Sequence, residues 1–259
     1  MKLDLNHPRL GVAAAVFIAS VAPLALDGCG FQERDLAVAP TLTEYSEPVP
    51  GPSTEGPMAI LRAALQPLPD SVQFDPEKAA LGRRLFHDPS LSIDGTLSCA
   101  SCHSLDQGGA DARRVSIGVH NQLGPINSPT VLNARYNFRQ FWDGRAADLR
   151  EQASGPMANP LEMGNTLENA VATIGRSEDY VARFRALYAD GLTLNNLVDA
   201  IAVYEETLVT PSRVDRFLKG DIHALNQDEL AGAELFVTQG CISCHQGVNV
   251  GGSSFQKVG

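Results

Sequence analysis

The chain has 259 residues, 44% of them apolar and 19% charged, with 23 Gly and 16 Pro. That balance excludes a disordered, collagen-like or coiled-coil chain, and the length suits one large domain or two modest ones. The formal net charge is −10, and removing residues 1–28 leaves it unchanged, because they carry two basic and two acidic side chains. A phosphate backbone repels such a surface, so nucleic acid is not expected as a partner.

Residues 1–28 read as an export signal. Lys2 and Arg9 give a weakly positive start, and Gly11 to Leu26 is an apolar run of 16 residues containing Pro23. That run is short for a membrane span, which needs about 20 apolar residues. It ends in Leu26-Asp27-Gly28-Cys29, which resembles a bacterial lipoprotein cleavage site with Cys29 as the lipidated residue. Asp27 departs from the small residue usual at that place, and an ordinary cleavage site is the alternative. Residues 29–57 read as a tether. Pro40, Pro48, Pro50, Pro52 and Pro57 alternate there with Glu33, Asp35, Glu44, Glu47 and Glu55, which favours an extended, solvated chain.

From residue 58 the pattern is helical. Asp75-Pro76-Glu77 supplies a cap, a proline at the first helical position and an acid, and Phe74, Leu81 and Leu85 share one face up to His87. Thr166 caps a helix with Leu167, Val171 and Ile174 that stops at Gly175. Ser177 caps the next, with Val181, Phe184 and Tyr188, and Asp190-Gly191 as its exit. Leu197, Ile201, Tyr204 and Leu208 repeat the spacing before Pro211. Asn226 to Glu229 forms a capping box ahead of Leu230, Ala233 and Val237. Beyond Val115 to Val119 no strand of useful length is expected, so the fold class is mainly α.

A short repeat organises the chain. Leu81-Gly82-Arg83-Arg84-Leu85-Phe86 precedes one cysteine pair, and Ala231-Gly232-Ala233-Glu234-Leu235-Phe236 precedes another. The pairs are Cys99-Ala100-Ser101-Cys102-His103 and Cys241-Ile242-Ser243-Cys244-His245. Each is a c-type haem attachment signature: two thiols add across the haem vinyl groups, and the adjacent histidine reaches the iron. Zinc wants four ligands per site, and only one histidine joins each pair locally. A thioredoxin-like dithiol needs no adjacent histidine and sits in a βαβ context absent here.

Between the pairs lie Ser116-Ile117-Gly118-Val119-His120, Gly124-Pro125-Ile126-Asn127-Ser128-Pro129-Thr130, Phe141-Trp142-Asp143-Gly144-Arg145-Ala146, Glu151-Gln152-Ala153 and Asn159-Pro160-Leu161-Glu162-Met163. In this order, from about Leu68 to the chain end, the sequence closely resembles the bacterial di-haem cytochrome c peroxidases. The methylamine-utilisation di-haem enzymes share much of the framework. The resemblance implies two cytochrome c-like domains, a peroxidatic one over 58–211 and an electron-transfer one over 212–259. It implies two covalent haems, hydrogen peroxide as substrate, and a small donor such as a cytochrome c or cupredoxin. The setting would be the bacterial periplasm, with a lipid anchor at Cys29; a homodimer is also compatible.

By the same resemblance, His103 is the proximal ligand of the peroxide haem and His120 its detachable distal ligand, one residue later than the family pattern. His245 ligates the second iron. Glu162 is the distal acid–base group, Gln152 a distal glutamine, Trp142 the tryptophan between the haems, and Asn127 a residue of a calcium site. Acting alone, a carboxylate in an apolar haem pocket has its pKa raised toward working pH and can move the peroxide proton. Asp143-Gly144-Arg145 reads as a tight turn beside Trp142. A plain electron carrier is the alternative from another class. Only 14 residues follow His245, so the second domain is expected to be incomplete, without its methionine ligand or the calcium partners of Asn127.

Overall fold

The computed structural model describes residues 55–257. The leader, Cys29 and residues 29–54 of the tether lie outside them. Nine α-helices follow one another among the described residues: α1 (Glu55–Ala64), α2 (Pro76–Phe86), α3 (Cys99–Cys102), α4 (Leu149–Ala158), α5 (Leu167–Ile174), α6 (Glu178–Leu187), α7 (Leu194–Glu206), α8 (Arg213–Leu218) and α9 (Gln227–Thr238). The fold is mainly α, as the sequence implies. Pairing of the β type is confined, among the described residues, to isolated bridges joining Leu65 to Gly247, Ile117 to Leu123 and Gln140 to Ala146.

Local chemistry sets the helix ends. Asp75 accepts hydrogen bonds from the backbone of Glu77 and Lys78, and the missing N–H of Pro76 falls where no intrahelical bond is needed. Thr166, Ser177 and Thr193 accept from Asn169, Tyr180 and Asn196 to open α5, α6 and α7. Asn226 and Glu229 satisfy each other's backbone N–H groups at the start of α9.

Three expectations need correction. Phe74 precedes the cap and is 46% exposed, so it does not join Leu81 and Leu85, which are 2% and 0% exposed. Helix α1 begins at Glu55, inside the stretch read as tether, because Pro57 falls in its first turn, where proline is tolerated. Val115 to Val119 is not a strand; the chain doubles back at His120 and Asn121, both with positive φ.

The described residues belong to one compact unit with two main clusters of buried side chains. In the larger, Leu85 and Phe86 of α2 meet Phe184 of α6 and Leu197 and Ile201 of α7, all essentially inaccessible. Each such side chain stabilises the fold by roughly 1.5–3 kcal/mol. Gly82 makes the α2–α7 contact close: a Cβ there would lie 1.8 Å from the Ala200 carbonyl oxygen. The smaller cluster gathers Leu61 and Leu65 from α1, Phe217 from α8, Ala224, Leu225, and Val237 from α9. Segment 58–65 therefore packs with the second attachment motif's helix. The repeat is unequal, since a Cβ on Gly232 would meet nothing within 4 Å.

Candidate active site

The first attachment motif occupies one helical turn. Ser101 Oγ accepts from Ser98 N at 3.0 Å, and His103 N donates to Cys99 O at 2.9 Å, closing α3. Spacing of three places Cys99 and Cys102 on one side of that turn. His103 Nδ1 lies 3.3 Å from Gly109 O, so a proton there donates to that carbonyl, and the ring also meets the Pro129 carbonyl. Burial lowers the His103 pKa and keeps the ring neutral, as a ligand must be. Burial, and then the charge of Glu205, push the Cys99 thiol up to about 12. Burial, followed by Asp111, likewise raises Cys102. A redox dithiol is activated by the opposite shift, so these thiols do not have the lowered pKa of a thiol–disulfide exchange site.

His120 stands at the tip of a hairpin-like loop. Gly118 N donates to Gln122 O at 2.8 Å, Gly124 N to Ser116 O at 2.9 Å, and Gln122 N to Val119 O at 3.2 Å. The two central residues, His120 and Asn121, have φ of 57° and 59°, the pattern of a type I′ turn. His120 is exposed, and its Nδ1 lies 3.8 Å from Asp94 Oδ2. The loop borders a cavity of about 590 Å³ that Cys102, Asp94, Asp111 and Arg113 also line.

Glu162 reaches the same region from the chain after α4. Val119 N donates to Glu162 O at 2.8 Å, and Gln122 Nε2 to Pro160 O at 3.1 Å. Gly118 is required there, because its Cβ would stand 2.0 Å from the Leu161 carbonyl oxygen. The His120 loop and the Glu162 loop are thus fastened backbone to backbone. Glu162 is half-buried, and Asn159 Nδ2 donates to its Oε1 at 2.7 Å. Burial raises its pKa, while the Asn159 bond and the Arg145 charge oppose the shift. Its charge is felt at the Cys102 sulfur, which places carboxyl and attachment site in one neighbourhood.

Gln152 lies half-buried on α4, a helix opened by Asp148, which accepts from Glu151 N at 2.9 Å. Trp142 is 62% exposed, and its Nε1 donates to Asn127 O at 3.3 Å, which brings together two residues chosen for different roles. The turn beside it forms as expected: Gly144 has φ of 68°, and Arg145 Nη1 bonds Asp143 at 2.9 Å with its guanidinium 3.5 Å from the Phe141 ring centroid. At the second motif, His245 N donates to Cys241 O at 2.9 Å and His245 Nδ1 lies 3.0 Å from Val250 O. Both histidines are thus oriented alike through Nδ1. Cys241, Cys244 and His245 are exposed. Gly247 N donates to Ala64 O at 2.8 Å, pinning the chain after the motif to the end of α1.

Sequence reasoning passed over Asn159 and Asp94. Asn159 carries a signal, the three-residue spacing to Glu162; Asp94 carries none, because only the fold brings it to His120.

Two Cys-x-x-Cys-His motifs, each with its histidine Nδ1 at a backbone carbonyl, and a half-buried carboxyl beside the first match the pattern of a di-haem protein. A family model described as di-haem cytochrome c peroxidase matches residues 76–223, and the chain belongs to that family. Cytochrome c551 peroxidase of Nitrosomonas europaea is 51% identical over 197 residues, which cover 75% of this chain and 59% of that protein. Cytochrome c peroxidase Ccp of Escherichia coli is 45% identical over 197 residues, 75% of this chain and 42% of that protein. The chain therefore spans roughly half the length of these curated relatives. A solved MauG-like protein associated with microbial copper homeostasis superimposes with TM-score 0.63 at 29% identity, over 71% of this chain and 60% of that one.

Proposed function

We propose that the chain carries two covalent c-type haems and serves a peroxidase that reduces hydrogen peroxide to water with two electrons and two protons. One observation carries the reading: half-buried Glu162, with its raised pKa, is fastened to the His120 loop beside the Cys102 end of the first motif. Both motifs fit the group, since each offers two cysteines on one turn and an adjacent histidine whose Nδ1 lies at a backbone carbonyl. The bound haems supply redox-active iron, tuned by axial ligands and surroundings. His103 and His120 would hold the first iron, and His245 would hold the second. Glu162 holds the proton taken from the inner peroxide oxygen and returns it to the outer one. Gln152 would orient the peroxide from α4, and Trp142 would lie between the two haems.

The sequence supports the finer parts of this reading: a periplasmic protein, lipid-anchored at Cys29, with calcium at Asn127 and a cytochrome c or cupredoxin as donor. The likeness to a MauG-like structure favours a second reading, oxidation of residues on a partner protein. The test is haem content followed by turnover of the holoprotein. Two haems per chain should survive acid–acetone extraction, and peroxide should be consumed with two equivalents of reduced donor. One haem per chain contradicts the cofactor assignment. Peroxide-dependent oxidation of a partner protein without donor consumption favours the second reading, and no peroxide consumption indicates a carrier.

A further inference from the structure

Two buried carboxyls take no part in the peroxide chemistry: Asp215, which accepts from Leu68 N and Ser212, and Glu205, which does not share such partners. It is 5% exposed, and its Oε2 has no hydrogen-bond partner among the described residues. On α7 it lies four residues after Ile201 and so shares its apolar stripe, and Leu208 follows two residues past the helix end. Cys99 packs against the cluster that also holds Ile201 and Tyr204, and it lies close enough to feel the Glu205 charge. The groups that feel its charge are the Cys99 thiol and the Tyr204 phenol of its own helix.

Cations on the elements packed against α7 are committed elsewhere. Arg135 Nη1 donates to Glu206 O at 2.9 Å, and Arg150 binds Asp199 and Glu206. From α2, Lys78 pairs with Asp199, Arg84 with Asp179, and Arg83 lies beside Tyr204. From α5 the packed groups are the apolar Ala170 and Ile174. An unpaired carboxylate at this depth lacks a compensating charge, and the nearest one the site can acquire is the haem's own.

We propose that Glu205 is the proton acceptor coupled to the first haem: reduction of the iron carried by the Cys99–His103 motif places one proton on the Glu205 carboxylate, and reoxidation releases it. The electron comes from a one-electron donor protein and the proton from water; the only bond formed is the O–H of the acid. Setting the propionates aside, the ferric porphyrin core carries one positive charge and the ferrous core none, so oxidised iron favours the carboxylate and reduced iron the acid. Burial alone pushes the Glu205 carboxyl up to about 8. The oxidised haem's charge lowers it again, so the proton exchanges on the acid side of that value.

The inference rests on reading Cys99–His103 as a haem site, and covalent haem content, counted first on the same sample, tests that reading separately. Spectroelectrochemical titration of the holoprotein should then show the first haem's potential falling with pH over this window. One proton per electron corresponds to about 59 mV per pH unit. Glu205→Gln should flatten that slope and leave the second haem's slope unchanged. A flat wild type, or an equal slope in Glu205→Gln, overturns the proposal. Should Glu205→Gln fail to fold, redox-difference infrared spectra of the Glu162→Gln holoprotein decide. A deuterium-sensitive carboxylic-acid band must appear on reduction, and its absence overturns the proposal equally.

Discussion

Asn159 and Glu162 form a hydrogen-bonded pair three residues apart, with the amide Nδ2 donating to Oε1 at 2.7 Å. That bond favours the carboxylate, whereas burial favours the acid, and burial prevails. To take a proton Glu162 must be ionised, so activity should fall as pH drops through a pKa above the ordinary glutamate range. Asn159→Ala removes the opposing bond and should move this acid limb to higher pH. The pH profile of kcat/KM for both proteins checks the direction; a limb at the same pH in each contradicts it.

The His120 loop should depend on Gly118. A methyl group there meets the Leu161 carbonyl and must part the two loops. Gly118→Ala is therefore expected to keep both haems but lower peroxide turnover about 10²-fold, the usual effect of misplacing a reacting group by about 1 Å. Stopped-flow peroxide reaction and haem counting on one sample separate misplacement from misfolding.

The two repeat glycines should respond oppositely to alanine. Gly82→Ala drives a Cβ into the backbone of α7 and should destabilise by about 3 kcal/mol, the upper end of overpacking costs. Gly232→Ala fills open space inside α9 and should stabilise by about 0.5–1 kcal/mol through helix propensity. Denaturant midpoints of the two variants test the contrast.

Caps made α2, α5, α6 and α9 legible, because Asp75, Thr166, Ser177 and Asn226 each act within three residues of themselves, whereas α7 was legible from its apolar spacing alone. Helices α4 and α8 were missed, although Asp148 with Glu151 and Ser212 with Asp215 have the same logic. The first follows a long loop and the second is only six residues long, so neither has enough apolar positions to show a period. The haem motifs were visible because attachment chemistry fixes residue types at adjacent positions. Meetings such as His120 with Asp94, or Trp142 with Asn127, span 26 and 15 residues and depend on loop paths that no local pattern encodes. Glu205 was visible only as a charge in an apolar stripe. Near a helix end that looks like a solvated acid until burial is known.

Glu205 also sets a stability trend. Its folded pKa of about 8 lies above the ordinary glutamate value, so the folded state holds a proton that the unfolded chain has lost. Stability should therefore fall as pH rises from about 4.5 toward 8, with a limiting slope of about 1.4 kcal/mol per pH unit. Glu205→Gln should remove this decline and be the more stable protein at pH 8. Thermal unfolding of the haem-loaded chain with both haems kept reduced, across that range, gives the comparison, and parallel curves for both proteins contradict it.

Peroxide turnover by Glu162→Gln, set beside the wild-type holoprotein with the same reduced donor, tests the acid–base account most directly. The substitution keeps size and hydrogen bonding but cannot carry the proton, and acid–base assistance is worth about 10²–10⁴-fold. The account predicts a fall in kcat of that order, with both haems and their reduction by the donor intact. Turnover equal to the wild type would contradict it.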